Sequence, residues 1–505
     1  MSPAATAATS PSGAPAGSAR RATAAVGAIL AILAVYALGF ALCWPRTPLV
    51  SDEQSYLRQA WAFSRGERTL EVRDALTGRP RRELPGAYPP GTAALQAPLV
   101  RALGVQAAPL VSLLAYCGTT ALLLRWLLLE GRSPWFALLF AGYLPALVLG
   151  RAAMSDLPSA LVVTGAQLLL VRSGPAPGRA LSARGSLLAG LLATASLLVR
   201  ETNVLFTGPL LAGAVLRREG RSLPLLLGAA LGLGLKLGAS WVVFGHALFV
   251  KDHDSGWSLV AAIAQLPLYL LALLVLAPLG LAGALLYRGP RRAEIALTAL
   301  GALAFFSAWG YSGQTSGLLQ RLVLGPRYLM PLLPLLAVAL AESLPRAWAR
   351  LAPGADARWP SRFAAAWALA VLLAAAAVHP ALARAAAPHA AIAQALAEST
   401  SPWGALVHDP VETGKYLAPW DAPRSPIGLR ELPPSSLPGL VARDGIAFLA
   451  LLERGDTDFH RQRAAVGERW REEAARFCVF ETVHDGLHRG LRLRVLRTTS
   501  CARAP

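Results

Sequence analysis

Lysine is nearly missing from this chain: only Lys236, Lys251 and Lys415 occur, so almost all of the positive charge is arginine. Charge of either sign is scarce, at 15% of 505 residues, where soluble domains carry roughly 25%. With 54% hydrophobic residues in long uncharged runs, a soluble globular chain is excluded. Cysteine is scarce too, and Cys43, Cys117, Cys478 and Cys501 form no CxxC spacing. Cys43 and Cys117 lie in apolar segments and read as packing residues. Cys478 and Cys501 lie in the polar C-terminal region; they either pair, if that region is extracytoplasmic, or remain thiols. No nucleotide-binding loop and no internal repeat is visible.

What is present is a series of apolar runs near 23–44, 107–129, 134–150, 157–171, 186–199, 203–216, 223–244, 259–287, 293–310, 327–344 and 362–379. A helix needs about 20 residues to cross a ~30 Å hydrocarbon core. The runs therefore predict an all-α polytopic membrane protein of about 11 transmembrane helices. Residues 1–22 read as a disordered cytoplasmic tail of Ala, Ser, Pro and Gly. The first run exceeds the roughly 7–15 residues of a signal-peptide core and reads as a retained helix. Residues 23–379 form the membrane domain, with a large first outer loop at 45–106, and residues 380–505 a small extracytoplasmic α/β domain. In that domain "GALVHDP" and "DGIAFLALL" read as buried strands, "TDFHRQRAAVGERWREEAARF" as an amphipathic helix, and "GLRLRVLR" as an edge strand.

The net charge of +19 would suggest nucleic acid in a soluble protein. Here the charges sort by side. With the N-terminus cytoplasmic, every short inner loop carries arginine, from Arg132 through Arg172, Arg217 and Arg288 to Arg346. Asp52, Glu53 and the C-terminal region then fall outside. The outer side also keeps cations, including Arg73, Arg79, Arg81 and Arg82 in the first loop. An anionic ligand at the outer leaflet is one reason to keep them there.

Several outer stretches carry candidate chemistry. In "SDEQSY", Asp52 and Glu53 start a helix, where acids suit the dipole and Ser51 suits an N-cap. A carboxylate at a water–lipid boundary can also act as general base. Neighbouring helical residues do not share a face, so Asp52 is taken as the base and Glu53 as organising its surroundings; Tyr56 follows one turn later. "GAYPPGTAALQAPL" ends the loop in a rigid turn, either a loop terminator or a cavity wall bearing Tyr88. "GRAAMSDLPSALVV" places Arg151 and Asp156 around an outer turn; Asp156 is a helix cap or a second acid facing Asp52. "LLVRETNVLF" places Arg200 and Glu201 at the end of a span, as an ion pair pinning a hairpin or as site residues. "LVLGPRYLMPLLPLL" places Arg327 and Tyr328 at the start of another, as an interfacial anchor or a phosphate ligand. Lys236 lies within a span, where ionisable groups usually mark function. His253, between Asp252 and Asp254, is a weak metal candidate beside the reading of a solvated acidic loop.

Taken in order, the "DE" with its tyrosine, "YPPG", the "R…M.D.P" turn, "RETN" and "GPRYLMPLLPLL" resemble the GT-C glycosyltransferases. They are similar to the bacterial superfamily of protein O-mannosyltransferases and lipid A aminoarabinose transferases, over roughly residues 24–345. The resemblance implies an integral protein of a bacterial inner membrane. It would transfer a sugar, with inversion, from a polyprenyl-phosphate donor to a glycan, lipid or protein acceptor on the extracytoplasmic face. It further implies that Asp52 is the base, that Asp156 lines the same cavity, and that cations such as Arg327 hold the lipid phosphate. Membrane lipids are then partners and nucleic acid is not; no cofactor is fixed, and use of a divalent metal varies in the family. The rivals are a lipid or sugar-lipid transporter without transferase chemistry, which would show paired halves with broken helices, and a non-catalytic assembly partner.

Overall fold

The computed structural model describes residues 16–48, 50, 52–73, 77, 79–172, 182–217, 222–247, 257–309, 323–351, 359–401, 404–409, 426–454 and 458–502. The chain opens with the apolar helix α1 (Ala16–Leu42) and crosses into a polar segment. That segment folds as helix α2 (Asp52–Ser64), a short antiparallel hairpin of β1 (Leu70–Arg73) and β2 (Pro80–Glu83), and helix α3 (Gly91–Leu103). Helix α4 (Leu110–Leu129) returns into the apolar layer.

The run near 134–150 is not one straight helix. It breaks into a 3-10 turn at Pro134–Ala137 and two short helices, α5 (Leu138–Ala141) and α6 (Leu144–Leu149). Pro145 supplies no backbone donor, so the ladder cannot continue through it. Helices α7 (Asp156–Arg172), α8 (Ala183–Ala195), α9 (Val204–Leu216) and α10 (Ser222–Phe244) follow. The long run near 259–287 is also divided, into α11 (Leu259–Leu276) and α12 (Gly280–Leu286) around Pro278 and a left-handed Leu279. Helices α13 (Arg292–Ala308), α14 (Leu333–Leu351) and α15 (Trp359–Ser399) complete the helical layer.

Six helical segments among the described residues are long and apolar enough to cross a membrane. The other runs are helical but shorter or broken. The chain is an integral membrane protein, mostly helical with a small C-terminal sheet. The segment Pro326–Leu351 is the hub: it is largely buried, whereas α10 and α11 are mostly not. A helix that is apolar all round and buried all round sits at the centre of a bundle. Ion pairs gather at the end of the bundle where the arginine-rich connections meet. Arg132 pairs with Glu342 at 2.9 Å, Arg346 with the same carboxylate at 2.8 Å, and Arg172 with Glu130 at 3.7 Å. Arg217 pairs with Glu294.

Helix α15 runs on through residue 380 and reaches the C-terminal sheet. The sheet comprises β3 (Ala405–His408), β4 (Ile427–Gly428), helix α16 (Leu437–Asp444), β5 (Ala447–Arg454), helix α17 (Asp458–Ala474), β6 (Cys478–His488) and β7 (Leu491–Cys501), in strand order β4-β3-β5-β7-β6. The strands expected at "GALVHDP" and "DGIAFLALL" are β3 and β5. The strand expected at the edge, "GLRLRVLR", is instead interior: β7 pairs with both β5 and β6, and β6 is the edge. Its alternating arginines are tolerated there because neighbours neutralise them. Arg492 pairs with Asp485 at 2.7 Å, Arg497 with Glu481 at 2.5 Å, and Arg494 with Glu453 and Glu468. Cys478 and Cys501 are disulfide-bonded across the β6–β7 hairpin. One sheet face packs on α16 and α17 through Leu440 and Trp470; the other packs on the end of α15 through Ile392 and Leu396.

Candidate active site

The site is built from the connections at the other end of the bundle. Helix α2 is fixed first. Glu53 Oε1 accepts from the Val50 amide at 3.1 Å, a side chain reaching back to cap its own helix. Its Oε2 accepts from the Ala153 amide at 2.7 Å. Glu53, 3% exposed, therefore ties α2 to the turn before α7. The same turn is held by Ser112 Oγ donating to the Ala152 carbonyl at 2.5 Å, and by the Tyr56 hydroxyl donating to Ser155 Oγ at 2.8 Å. Burial pushes the Tyr56 phenol above its ordinary range, so it stays a donor at neutral pH. Arg151 donates to the His379 carbonyl of α15 at 3.1 Å, clamping that helix to the turn.

The turn presents Asp156, fully buried, at the start of α7. Asp156 Oδ1 accepts from Arg200 Nη1 at 2.6 Å, while Oδ2 has no hydrogen-bond partner among the described residues. Arg200 is extended, with φ −158° and ψ 125°, between two single-turn 3-10 segments. That break aims its side chain away from the helices on either side. Asn203 secures it, donating to the Ser196 carbonyl at 2.9 Å and accepting from Ser159 Oγ at 2.5 Å.

Arg327 meets the other acid. Its Nη2 lies 3.3 Å from Asp52 Oδ2 and 3.1 Å from the Tyr328 hydroxyl, to which it donates. The Tyr328 ring lies between the two guanidinium groups, 4.6 Å from that of Arg200 and 5.0 Å from that of Arg327. Phe306 stacks on it at 5.2 Å and Trp309 at 5.8 Å. A chain of contacts thus runs Asp52–Arg327–Tyr328–Arg200–Asp156, and both carboxylates lie within electrostatic reach of Arg327. The Asp52 side chain is 18% exposed and that of Asp156 0%, so Asp52 is the carboxylate open to a ligand.

The "YPPG" turn packs against α2. Tyr88 stacks on Tyr56 at 4.6 Å, and Gln59 Nε2 donates to the carbonyls of Gly86 and Tyr88 at 3.2 and 2.9 Å. Gly91 packs against the backbone just before Arg200: a Cβ there would lie 2.6 Å from the Leu198 oxygen. Lys236 reaches Glu201 at 3.2 Å and donates to the Ala247 carbonyl at 2.8 Å. Arg200 and Glu201, neighbours in sequence, therefore take different partners.

These groupings place Asp52, Asp156, Tyr56, Tyr88, Arg200, Arg327 and Tyr328 together, with Lys236 alongside. Arg151 and Glu53 make backbone contacts beneath the cluster. His253 lies outside the described residues, as do Lys251, Asp252 and Asp254. Among the described residues no group of three His, Cys, Asp or Glu side chains is arranged to hold a metal ion.

ArnT from Cupriavidus metallidurans, in its apo crystal structure, superposes with a TM-score of 0.61 at 16% identity, over 94% of this chain and 98% of that one. The fold is that of the GT-C membrane glycosyltransferases. The same ArnT bound to undecaprenyl phosphate gives a TM-score of 0.59 at 15% identity, over 95% of this chain and 99% of that one. No protein-family model matches the sequence, and no curated protein matches it significantly.

Sequence reasoning missed Phe306, Trp309, Gln59 and the packing role of Gly91. Aromatic residues at the end of an apolar helix read as core. A glycine in a Pro-Pro-Gly turn reads as a turn former. Only the partner segment reveals the contact.

Proposed function

We propose that this chain is an inverting glycosyltransferase, moving a sugar from a polyprenyl-phosphate donor to an acceptor at the extracytoplasmic face with Asp52 as general base. The observation that carries the reading is the Asp52–Arg327–Tyr328–Arg200–Asp156 chain of contacts. It lies in a fold whose neighbour ArnT has been crystallised with undecaprenyl phosphate. Arginine-rich connections at the opposite end of the bundle support a cytoplasmic placement of that end. The Cys478–Cys501 disulfide supports an oxidising side for the terminal domain.

The cluster is balanced in charge: Arg200, Arg327 and Lys236 face Asp156, Asp52 and Glu201. An arriving phosphate draws Arg327 away from Asp52 and is held in the planar fork of the guanidinium. Asp52, released, accepts the proton of the acceptor hydroxyl or amine. The acceptor atom bonds to the anomeric carbon from the face opposite the phosphate. The bond from that carbon to the phosphate oxygen breaks, and its electron pair leaves with the polyprenyl phosphate, whose charge Arg327 and Arg200 stabilise. One displacement inverts the anomeric centre without a covalent enzyme intermediate. Asp156, fully buried, takes no substrate group itself and holds Arg200 in position through its Oδ1.

The test is release of polyprenyl phosphate from labelled polyprenyl-phosphate sugars, with cell-envelope extract as acceptor, by the protein in nanodiscs. Wild type turns over, and Asp52→Asn loses at least about 10²-fold in kcat, the lower range for a lost general base. Turnover by Asp52→Asn at the wild-type rate sinks the base assignment. Transport of the intact donor across the bilayer without cleavage sinks the transferase reading.

A further inference from the structure

Two histidines on the edge strand β6 converge in a way that neither the fold nor the proposed reaction uses. His484 and His488 lie four residues apart and flank Gly486 on one face. Their rings are 5.8 Å apart, with planes inclined by 6°. Strand residues four apart are separated by about 13 Å along the chain at ~3.3 Å per residue, so both side chains lean inward to meet. Both Nε2 atoms are shielded from solvent and lack hydrogen-bond partners among the described residues. Both point over Gly486: a Cβ there would lie 2.7 Å from His484 Nε2 and 3.0 Å from His488 Nε2. The register sets these residues opposite Val495, Leu493 and Leu491, whose face packs against the end of α15. Asp485, the intervening acid, is committed to Arg492 by bonds of 2.8 and 2.7 Å.

Unpartnered buried imidazole nitrogens are costly, and two aimed at one point are suited to one ion. We propose that His484 and His488 bind a divalent first-row transition-metal ion of the zinc, nickel or copper type through their Nε2 atoms. Imidazole favours these metals, and small ring rotations bring each nitrogen to the ~2.0–2.1 Å of a metal–imidazole bond. Water completes the coordination shell. The ion fastens the edge strand beside α15.

The test is calorimetric titration of Zn²⁺, and separately Ni²⁺, into the untagged full-length protein in detergent. One equivalent binds to wild type. His484→Ala and His488→Ala each weaken binding by at least about tenfold, in line with the sensitivity of metal sites to their supporting groups. Gly486→Ala keeps both histidines but fills the space in which they converge, and weakens binding by a similar factor. Intact circular dichroism and an unchanged melting temperature without metal show that the variants are folded. Absence of wild-type binding above that of the double variant His484→Ala/His488→Ala overturns the site. Unaltered binding by Gly486→Ala overturns the proposed geometry.

Discussion

Replacing Gly91 with alanine separates positioning from stability at this site. Gly91 opens α3, and an added Cβ would stand 2.6 Å from the Leu198 oxygen and 2.9 Å from the Val199 nitrogen. Both are backbone atoms and cannot rotate aside. Ordinary contact near 3.4 Å requires the two segments to part by about 0.8 Å, an overpacking cost of about 1–3 kcal/mol. Alanine returns up to ~1 kcal/mol through its helix propensity, so the net loss of stability is small. The displaced backbone is that of Val199, next to Arg200. A misplacement of ~1 Å can cost about 10²-fold in rate, so kcat for polyprenyl-phosphate release falls about 10- to 100-fold while the melting temperature drops only a few degrees. Gly27→Ala, whose Cβ meets nothing within 4 Å, leaves kcat unchanged and does not lower the melting temperature. Wild-type kcat in a folded Gly91→Ala protein refutes the reasoning, because it means Arg200 tolerates the displacement or takes no part.

Three further outcomes are expected. Glu53→Gln turns an amide group toward one of the two backbone donors that the carboxylate now satisfies. It should destabilise the protein by about 1–3 kcal/mol and slow transfer, measured by thermal melting and donor turnover; an unchanged melting temperature contradicts the anchoring role. Burial holds the His408 imidazole down at about 4 from its ordinary 6.5. Its neutral form is built into the fold, so the stability it supports is complete above about 6.5 and drains away as pH falls toward about 4, by up to ~3 kcal/mol at 1.36 kcal/mol per unit. The protection of β3 and β5 against hydrogen exchange, taken relative to the intrinsic amide rate at each pH, should fall over that window, and a His408→Leu protein should show a flatter profile. Cys478→Ser removes a cross-link spanning 23 residues, which should cost about 2–4 kcal/mol and speed limited proteolysis of the β6–β7 hairpin; equal cleavage rates contradict it.

The helical layer was legible in the sequence because apolar length and arginine placement are local signals. The same holds for the acids at 52 and 156 and the arginines at 200 and 327, which fall at the ends of apolar runs. Pairing was not legible. Arg200 passes over its neighbour Glu201 for Asp156, because the extended backbone at residue 200 turns the side chain toward α7. The stack of Phe306 and Trp309 on Tyr328 joins segments whose meeting depends on how α13 packs against the start of the buried hub. The interior position of β7 was hidden for a related reason. Alternating arginines imply water on one face; that face stays partly open to solvent here, and carboxylates of β5, β6 and α17 pair the arginines, so an interior strand keeps them.

Helix α15 carries a geometric consequence of its own. Its 41 residues extend about 60 Å at 1.5 Å per residue, twice the ~30 Å of a hydrocarbon core. It is therefore about twice as long as a span requires and serves as a mast, with the terminal sheet fastened to its C-terminal part through Ile392 and Leu396. A mast fixes both height and bearing. Inserting one alanine between Arg384 and Ile392 would raise the sheet by only ~1.5 Å but swing it through about 100°. Crosslinking distances from the sheet to the α2–α3 segment should then change periodically with the number of residues inserted, and recover after three or four.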